Sequence, residues 1–240
     1  MITVGVLGAR GRMGATVCDA VNADAELELV AAVDVGDDLD PLLKASVVVD
    51  FTIAPAARVN LPWLAANGIH AVVGTTGLND DDLALLRSSF TTSNCLIAAN
   101  FAIGAVLMMR FAEMAAPFFE TAEIIELHHD AKIDAPSGTA TTTANRMAAA
   151  SSQWAPDPTQ HEVIVGARGG EGPAGIRIHS VRMRGMVAHQ EVVLGTTGQT
   201  LTIRHDTIDR SSFMPGVVLA CKRIADHPGL TIGLDPMLGL

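Results

Sequence analysis

Cysteine is scarce in this sequence, and its three cysteines are scattered. Cys18, Cys95 and Cys221 form no CxxC pair. An odd, unclustered set of thiols indicates a reducing compartment, and we therefore expect the protein to be cytoplasmic. The same scatter argues against a zinc site, so each cysteine is interpreted as a small buried apolar side chain.

Positive charge is scarce as well. The chain has 16 lysines and arginines against 26 acidic residues, which gives a formal net charge of -10. This balance argues against nucleic acid as a partner. An acidic protein that binds an anion must gather its few cations at one place, so the positions of lysine and arginine become informative.

A long membrane-type segment is also missing. Residues 88–109 carry no charge, but Asn94 and Asn100 bracket a predicted strand within them. We interpret this stretch as a strand, a loop and the start of a buried helix, and we expect no membrane partner. The chain begins with an apolar run, 2–7, that is typical of a strand rather than of a basic leader peptide.

What is present indicates a globular protein. The 240 residues are 49% apolar and 18% charged, which suffices for a core in one large or two small domains. In the first hundred residues, near-continuous apolar strands alternate with helices, and this alternation predicts a parallel sheet covered on both faces. The predicted strands are 2–7, 27–33, 46–51, 70–73 and 95–98, and the predicted helices are 12–22, 56–67 and 80–88.

The pattern changes after about residue 103. Short strands that alternate apolar with polar residues indicate antiparallel pairing, and a last helix, 217–225, can return to the first sheet. We therefore predict an α/β fold, in which a Rossmann-like dinucleotide-binding domain (1–103 plus 211–240) is interrupted by an α+β mixed-sheet domain (104–210). The elements expected in the insertion are helices 105–119 and 139–150 and strands 122–127, 163–165, 176–182, 190–194 and 201–205.

A glycine turn follows the first strand and opens the first helix. The segment from Gly8 to Gly14 reads G-x-x-G-x-x-G, and Asp34 lies 20 residues beyond it at the end of the second strand. Glycines permit close backbone approach, the helix start receives a pyrophosphate, and the carboxylate can bond ribose hydroxyls. Arg10 and Arg12 add positive charge beside the phosphates. A purely structural glycine turn is the alternative.

The residue after Asp34 bears on the choice of cofactor. It is Val35 and not arginine, so a 2′-phosphate would meet the carboxylate without an adjacent guanidinium. We expect NADH to be used at least as well as NADPH, with Arg10 or Arg12 as the compensating contact. The loops 74–77 and 98–101 end the fourth and fifth strands and should border the nicotinamide, unless they are ordinary turns.

The segment from Glu126 to Ala140 carries the groups for chemistry. His128 and His129 sit where a strand should end, Lys132 follows four positions after His128, and a Ser137-Gly138-Thr139 turn opens the next helix. An imidazole shuttles protons near neutrality, an ammonium supplies a cation or a proton, and a helix start can hold a carboxylate.

Other readings of this segment remain open. One alternative is that both histidines are merely solvated or structural. Metal ligation is disfavoured because no third ligand is evident, so we predict no metal. Asp134 can cap the turn or orient Lys132, and a structural use is the better interpretation. Arg182 or His189 can face the substrate, although a structural or interface role is the better interpretation for each.

Taken together, these motifs resemble the 4-hydroxy-tetrahydrodipicolinate (dihydrodipicolinate) reductase family over essentially the whole chain. The resemblance depends on the glycine turn, on residues 74–77 and 100–104, on the specific string HHxxKxDAPSGTA at 128–140, on 189–191 and on 210–216. It implies reduction of 4-hydroxy-tetrahydrodipicolinate, via dihydrodipicolinate, to tetrahydrodipicolinate by NAD(P)H in lysine and diaminopimelate synthesis. It also implies a homotetramer that acts on a small dicarboxylate.

The resemblance also assigns residues by motif position. His128 takes a proton donor/acceptor role and Lys132 a proton donor role, while His129, Gly138 and Thr139 match substrate-binding positions. Ala99 departs from the family, which commonly has proline there. The matching cofactor positions are Gly8, Ala9, Arg10, Gly11, Arg12, Met13, Asp34, Gly74, Thr75, Thr76, Ala98, Ala99, Asn100 and Phe101.

Two rival functions are compatible with the same architecture. One is an aspartate-type or other small-acid dehydrogenase, which would not need the HHxxKxDAPSGT string. The other is a nucleotide-sensing regulator without turnover, which would not need an intact set of proton-transfer groups.

Overall fold

The computed structural model describes residues 1–240, and the chain divides into two compact units. The first unit comprises residues 1–103 and 210–240, and the second comprises residues 104–209. In chain order the strands are β1 (Ile2–Leu7), β2 (Leu27–Val33), β3 (Val47–Asp50), β4 (His70–Val73), β5 (Cys95–Ile97), β6 (Thr121–His128), β7 (Gly170–Glu171), β8 (Arg177–Arg182), β9 (Ala188–Thr196), β10 (Gln199–Thr207) and β11 (Leu230–Ile232). The α-helices are α1 (Arg12–Ala23), α2 (Ala54–Ala66), α3 (Asp80–Ser89), α4 (Ile103–Ala115), α5 (Gly138–Ala150), α6 (Met214–Arg223) and α7 (Asp235–Leu238).

The first unit is built on one parallel sheet with the strand order β11-β5-β4-β3-β1-β2. All four residues of β3 are buried, as expected for a central strand covered on both faces. Because every strand runs the same way, the carboxyl ends of β1 to β5 lie at one edge of the sheet, and this confirms the predicted α/β class.

The end of the chain returns to the first unit. α6 belongs to it, and the short strand β11 pairs with β5 at the edge of the sheet. A Cβ added to Gly216 in α6 would lie 2.1 Å from the carbonyl oxygen of Phe101, so only glycine allows this close approach. The predicted return of the last helix is confirmed, whereas the three-residue β11 was too short to be predicted.

The second unit is a five-stranded mixed sheet with the order β10-β9-β6-β8-β7. β6 is antiparallel to β9 but parallel to β8. The expected antiparallel pairing therefore holds for every pair of neighbouring strands except β6 and β8. Apolar side chains of one sheet face pack with α4 and α5 around Ile124, Val192 and Met147. The face opposite this core carries the alternate residues of each strand.

Two predicted elements differ from the structure. Residues 163–165 form a bend and a turn with exposed side chains rather than a strand, because these β-branched residues have no neighbouring strand with which to pair. The predicted helix 105–119 is α4 followed by a separate 3₁₀ turn that contains Pro117, a residue without the N–H that a continuing helix needs. None of the helices combines the length and the apolar character needed to cross a bilayer.

Candidate active site

The glycine turn of the first unit brings the start of α1 against the end of β1. Gly8 has a φ of +75°, and its carbonyl oxygen accepts a hydrogen bond from Gly11 N at 2.9 Å. A Cβ on Gly14 would lie 2.0 Å from that same oxygen. The turn therefore requires glycine at both positions, and it leaves backbone N–H groups of the α1 start at the sheet edge, as an anion-binding turn needs.

Asp34 lies beside this turn, at the end of β2. Its carboxylate accepts hydrogen bonds from the backbone N–H of Arg10 at 2.6 Å and of Val35 at 2.8 Å. The bond from Val35, followed by that from Arg10, holds the pKa of the Asp34 carboxyl below its ordinary value. A carboxylate has about four acceptor positions, so Asp34 keeps capacity for further donors such as hydroxyls.

Arg10 is partly committed to the same loop. Its Nη1 donates to Asp37 Oδ2 at 2.8 Å, and its Nη2 donates to the carbonyl oxygen of Val35 at 3.2 Å. The guanidinium is therefore held in the Asp34 loop, and its charge helps to lower the pKa of the Asp34 carboxyl. Its role as a compensating cation stays a prediction. Arg12, the second predicted cation, is exposed on the first turn of α1.

Side chains at the ends of β3, β4 and β5 hold these ends together; Thr75 and Phe101 were predicted as site residues, whereas Asp50, Phe51 and Thr52 were not. Asp50 is fully buried, and its Oδ1 accepts hydrogen bonds from Thr52 and from Thr75 Oγ1, the latter at 2.7 Å. The rings of Phe51 and Phe101 pack in a tilted arrangement, with centroids 5.7 Å apart and an angle of 58° between their planes. A run of apolar strand residues that ends in aspartate was the available signal, but it was interpreted only as part of the third strand.

The loops that follow β4 and β5 are fitted closely to this cluster. A Cβ on Gly74 would lie 2.0 Å from the Phe51 ring, so a side chain at this position would displace the ring. The backbone N–H of Ala98 donates to Val73 O at 3.0 Å, and the Asn100 side chain accepts a hydrogen bond from Ala102 N at 2.8 Å. The predicted cofactor residues of both loops thus lie at one sheet edge with the glycine turn.

A cavity of about 490 Å³ opens at this edge of the first unit. The glycine turn, the end of β2 and the β3–α2 segment line it, including Gly8, Gly11, Asp34, Phe51 and Asn60. Glycines without side chains, a helix start and a carboxylate are the chemical groups that phosphates and ribose hydroxyls need. The residues present therefore fit a dinucleotide.

The imidazole of His128 ends β6 in the second unit. Its Nδ1 lies 2.5 Å from Oε2 of Glu126, a residue that is completely buried. His129 follows immediately, outside the strand and exposed, so the chain leaves the strand where it was expected to. Burial lowers the pKa of the His128 imidazole below its ordinary value, although Glu126 acts in the opposite direction. His128 is therefore close to neutral at pH 7 and able to exchange a proton.

Lys132 is held by Asp134 in the loop after β6. Lys132 Nζ donates to both carboxylate oxygens of Asp134 at 2.8 Å, and this salt bridge is what lowers the pKa of the Asp134 carboxyl most strongly. Of the two alternatives for Asp134, the structure selects the one in which it orients Lys132. The ammonium is mostly covered, with 21% of its side chain exposed.

Arg182 connects these groups from the neighbouring strand β8. Its guanidinium binds both carboxylate oxygens of Glu126, at 2.8 and 2.9 Å, and its Nη2 donates to the carbonyl oxygen of Asp134 at 2.6 Å. Sequence reasoning had named Arg182 without its partner, because nothing in the sequence showed that Glu126 would be buried. His189 pairs with Asp206 instead, at 2.7 Å.

The start of α5 follows the same loop. Ser137 caps the helix by accepting from Ala140 N at 3.2 Å, and its own N–H donates to Glu126 Oε1 at 3.3 Å. Gly138 and Thr139 are the first two residues of α5, so the predicted helix start is confirmed. The end of β6, the Lys132 loop and the α5 start therefore form one site, which we call the β6 site. No cluster of histidine, cysteine or acidic residues with metal-ligand geometry is present in the chain.

The fold and these two sets of residues define a class of protein. The first unit has a parallel sheet with a glycine turn, and the second carries an imidazole that is hydrogen-bonded to a buried carboxylate. This combination is typical of a nicotinamide-dependent dehydrogenase or reductase. Two family models agree with this class. The model for the N-terminal part of dihydrodipicolinate reductase matches residues 2–101, and the model for its C-terminal part matches residues 104–238. The chain belongs to the dihydrodipicolinate reductase family.

Individual relatives support this membership over the full length. A protein from Nocardia farcinica named 4-hydroxy-tetrahydrodipicolinate reductase is 55% identical, and the match covers 100% of this chain and 99% of that protein. A protein of the same name from Cutibacterium acnes is 52% identical, and the match covers 100% of both chains. Dipicolinate-bound dihydrodipicolinate reductase from Paenisporosarcina sp. TG-14 superposes with a TM-score of 0.88 at 38% identity, covering 98% of this chain and 99% of its own.

A more distant neighbour shares only the fold. Aspartate dehydrogenase from Thermotoga maritima has a TM-score of 0.51 at 11% identity, with 93% of this chain and 96% of its own covered. Similarity at that level describes the architecture and carries no information about substrate.

Proposed function

We propose that this protein reduces 4-hydroxy-tetrahydrodipicolinate, via dihydrodipicolinate with loss of water, to tetrahydrodipicolinate, in lysine and diaminopimelate synthesis. The observation that carries the proposal is the β6 site, where the HHxxKxDAPSGTA string runs from the end of β6 to the start of α5 and supplies an imidazole, an ammonium and a helix start. These groups suit a small dicarboxylate, and the full-length relatives carry the name of this reductase.

Each group of the β6 site receives a role in the proposal. Lys132 and the start of α5, with Gly138 and Thr139, bind carboxylates of the substrate, and His129 adds a contact from outside the strand. Negative charge that develops on the ring is quenched by a proton from Lys132, while His128 donates or accepts a proton. Asp134 orients the Lys132 ammonium before substrate arrives.

The first unit would hold the nicotinamide cofactor in this proposal. The glycine turn from Gly8 to Met13 would hold the pyrophosphate, Asp34 would bond the ribose, and the loops after β4 and β5 would border the nicotinamide. When bound, NAD(P)H supplies the hydride that is added to ring C4. The contacting residues are the set named above, from Gly8 to Met13, Asp34, Gly74 to Thr76 and Ala98 to Phe101.

The cofactor preference follows from the Asp34 loop. Asp34 is ionised and has spare acceptor capacity, which favours ribose hydroxyls over a 2′-phosphate. Arg10 lies beside it and can reduce the repulsion of the phosphate only by giving up part of its bonding to Asp37. NADH is therefore used at least as well as NADPH. A hundredfold preference for NADPH in kcat/KM would overturn this assignment.

The remaining properties concern the setting of the enzyme. The protein acts in the cytoplasm as a homotetramer, and residues 104–210 build both the substrate site and the assembly. The second sheet supports this, since the face opposite its helix-covered core carries half-buried apolar side chains such as Ile125, Leu127 and Val193. Light scattering of the purified protein tests the assembly, and a monomer of 25 kDa would contradict it.

A coupled assay tests the reaction. Aspartate semialdehyde, pyruvate and the preceding synthase generate the substrate, and loss of NADH absorbance reports reduction. We expect NADH loss only when the synthase and both of its substrates are present. Formation of NADH from NAD⁺ with aspartate or another small acid as the hydride donor would favour a small-acid dehydrogenase. Tight NADH binding without any turnover would favour a nucleotide-sensing regulator.

A further inference from the structure

Glu126 is the most deeply buried charge of the second unit, and its carboxylate is fully engaged. It has no exposed surface, and its partners are the Arg182 guanidinium, the His128 imidazole and the backbone N–H of Ser137. A buried carboxylate is tolerated only when it is paired and hydrogen-bonded in this way. The group belongs to none of the positions that the family motif assigns.

The charge state of Glu126 decides which imidazole nitrogen carries a proton. Burial disfavours the ionised form, but hydrogen bonds from Arg182, Ser180 and His128 together outweigh burial and lower the pKa of the Glu126 carboxyl. An ionised carboxylate can only accept, so His128 Nδ1 must be the donor in their 2.5 Å contact. Proton exchange is then left to Nε2 of His128.

Arg182 extends this support to the second proton-transfer group. The same guanidinium that holds both oxygens of Glu126 donates to the backbone of Asp134, whose side chain binds Lys132 Nζ. An unbroken chain of hydrogen bonds therefore runs from His128 through Glu126 and Arg182 to the residue that orients Lys132.

We infer that Glu126, braced by Arg182, is the positioning residue of the β6 site: it fixes the Nδ1–H tautomer of His128 and so presents Nε2 to the substrate. The inference rests on the proposed function for its kinetic consequence, but the tautomer itself does not depend on any substrate. The charged groups around His128 are Glu126 on β6, Lys132 in the following loop and Arg182 on β8, while its register partner on β9 is the uncharged Ala188.

A second cluster of the same composition provides a matched control. Glu123 lies three residues before Glu126 on β6 and therefore on the other face of the strand. It binds His179 Nε2 at 2.6 Å and Arg168 Nη2 at 2.7 Å. There, 35% of the glutamate side chain is exposed. Glu123→Gln therefore removes an equivalent charge from the same strand without touching the β6 site.

The decisive experiment compares Glu126→Gln, Glu126→Asp and Glu123→Gln in the coupled assay and by NMR of ¹⁵N-histidine-labelled protein. The His128 signals are assigned by their loss in His128→Asn. In wild type we expect the Nδ1–H tautomer of His128. In Glu126→Gln we expect a mixed or Nε2–H tautomer and a loss in kcat of about tenfold, because proton transfer by a correctly held group contributes at least that much. KM should change by less than about threefold, since substrate contacts remain.

The pH profile and the other variants complete the test. In Glu126→Gln, the part of the pH profile of kcat/KM that is governed by the ionisation of His128 should move to lower pH, because the Glu126 charge that favours the protonated imidazole is lost. Glu126→Asp keeps a carboxylate and should regain part of the rate and the Nδ1–H signal, whereas Glu123→Gln should match wild type in rate and in oligomeric mass. Unchanged kcat and tautomer in Glu126→Gln would overturn the inference.

Failure to fold and failure of the proposed function give distinguishable results. If Glu126→Gln does not fold, an Nε2–H tautomer in wild type still overturns the inference. If wild type reduces nothing in the coupled assay, the proposed reaction falls, while the comparison of tautomers between wild type and Glu126→Gln still decides whether Glu126 holds the imidazole.

Discussion

Asp34 in the first unit and Glu126 in the second are both carboxylates fixed by hydrogen bonds at strand ends, but they are fixed in different ways. Asp34 is partly exposed and is bonded by two backbone N–H groups, whereas Glu126 is fully buried and is bonded by a guanidinium and an imidazole. Backbone donors leave Asp34 available to a ligand. The Arg182 guanidinium commits Glu126 to the protein, so removal of the carboxylate leaves a largely covered cation without its charge partner.

The comparison teaches how much each site depends on a single side chain. At the edge of the first sheet, several loops line the cavity together, so loss of the Asp34 carboxylate should alter only one contact to a ligand. In the β6 site, Glu126 and Arg182 connect His128 to the residue that holds Lys132, so one substitution affects both of the proposed proton-transfer groups.

The largest effect on turnover is expected from the proton-transfer groups themselves. His128→Ala or Lys132→Ala should cut turnover by at least tenfold, because each removes a positioned acid or base. Circular dichroism and thermal melting of both variants check that the fold is retained. Near-normal turnover in either variant would remove the role assigned to that residue.

A large effect on stability is expected at the buried carboxylate. Glu126→Gln should lower the free energy of unfolding at pH 7 by roughly 3 kcal/mol, because it leaves Arg182 without its charge partner. The pKa of this carboxyl is lower in the folded than in the unfolded state, so its contribution is complete above about pH 5 and is lost as pH falls through the folded pKa. Urea unfolding of both proteins between pH 3 and 7 should therefore show the difference shrinking toward low pH. A difference that grows on acidification would contradict this sign.

An intermediate effect is expected at the cofactor edge. Asp34→Ala should raise the KM for NADH by about tenfold and leave kcat unchanged. A tenfold change corresponds to the free energy of roughly one charge-assisted hydrogen bond. KM for NADPH should change less, so the ratio of the two cofactors shifts toward NADPH. Asp38→Ala, a substitution in the same loop, serves as the control. Equal changes for both cofactors would show that Asp34 does not contact the ribose.

The smallest effect is expected at Glu123, the partly exposed counterpart of Glu126 on β6. Glu123→Gln should leave kcat within about twofold and should lower the free energy of unfolding by less than about 1 kcal/mol, the usual range for exposed ion pairs. A loss of turnover equal to that of Glu126→Gln would show that charge on this strand, rather than contact with His128, is what matters.

The sequence predicted much of the first unit and the local structure around each candidate site. Strand periods and the glycine turn predicted the sheet edge after β1, and HHxxKxDAPSGTA predicted that the chain leaves β6 at His128 and that α5 begins after Pro136. Both features are local in sequence, which is why they can be recognised without coordinates. The roles of the site residues stay predictions.

What escaped prediction depends on contacts between distant parts of the chain. Glu126 and Arg182 are 56 positions apart, and only the parallel pairing of β6 with β8 brings them together. The burial of Asp50 likewise follows from its neighbours β1 and β4, and the failed strand at 163–165 shows that a strand-like composition needs a partner strand.

The most direct test of the account monitors His128 while a dicarboxylate binds. Dipicolinate, the ligand named for the Paenisporosarcina structure, is titrated into ¹⁵N-histidine-labelled wild type and Lys132→Ala. The account predicts that the Nε2 signal of His128 shifts on binding while Nδ1 stays protonated, and that binding to Lys132→Ala is at least tenfold weaker. Saturable binding that leaves the His128 signals unmoved and is equally tight in Lys132→Ala would contradict it.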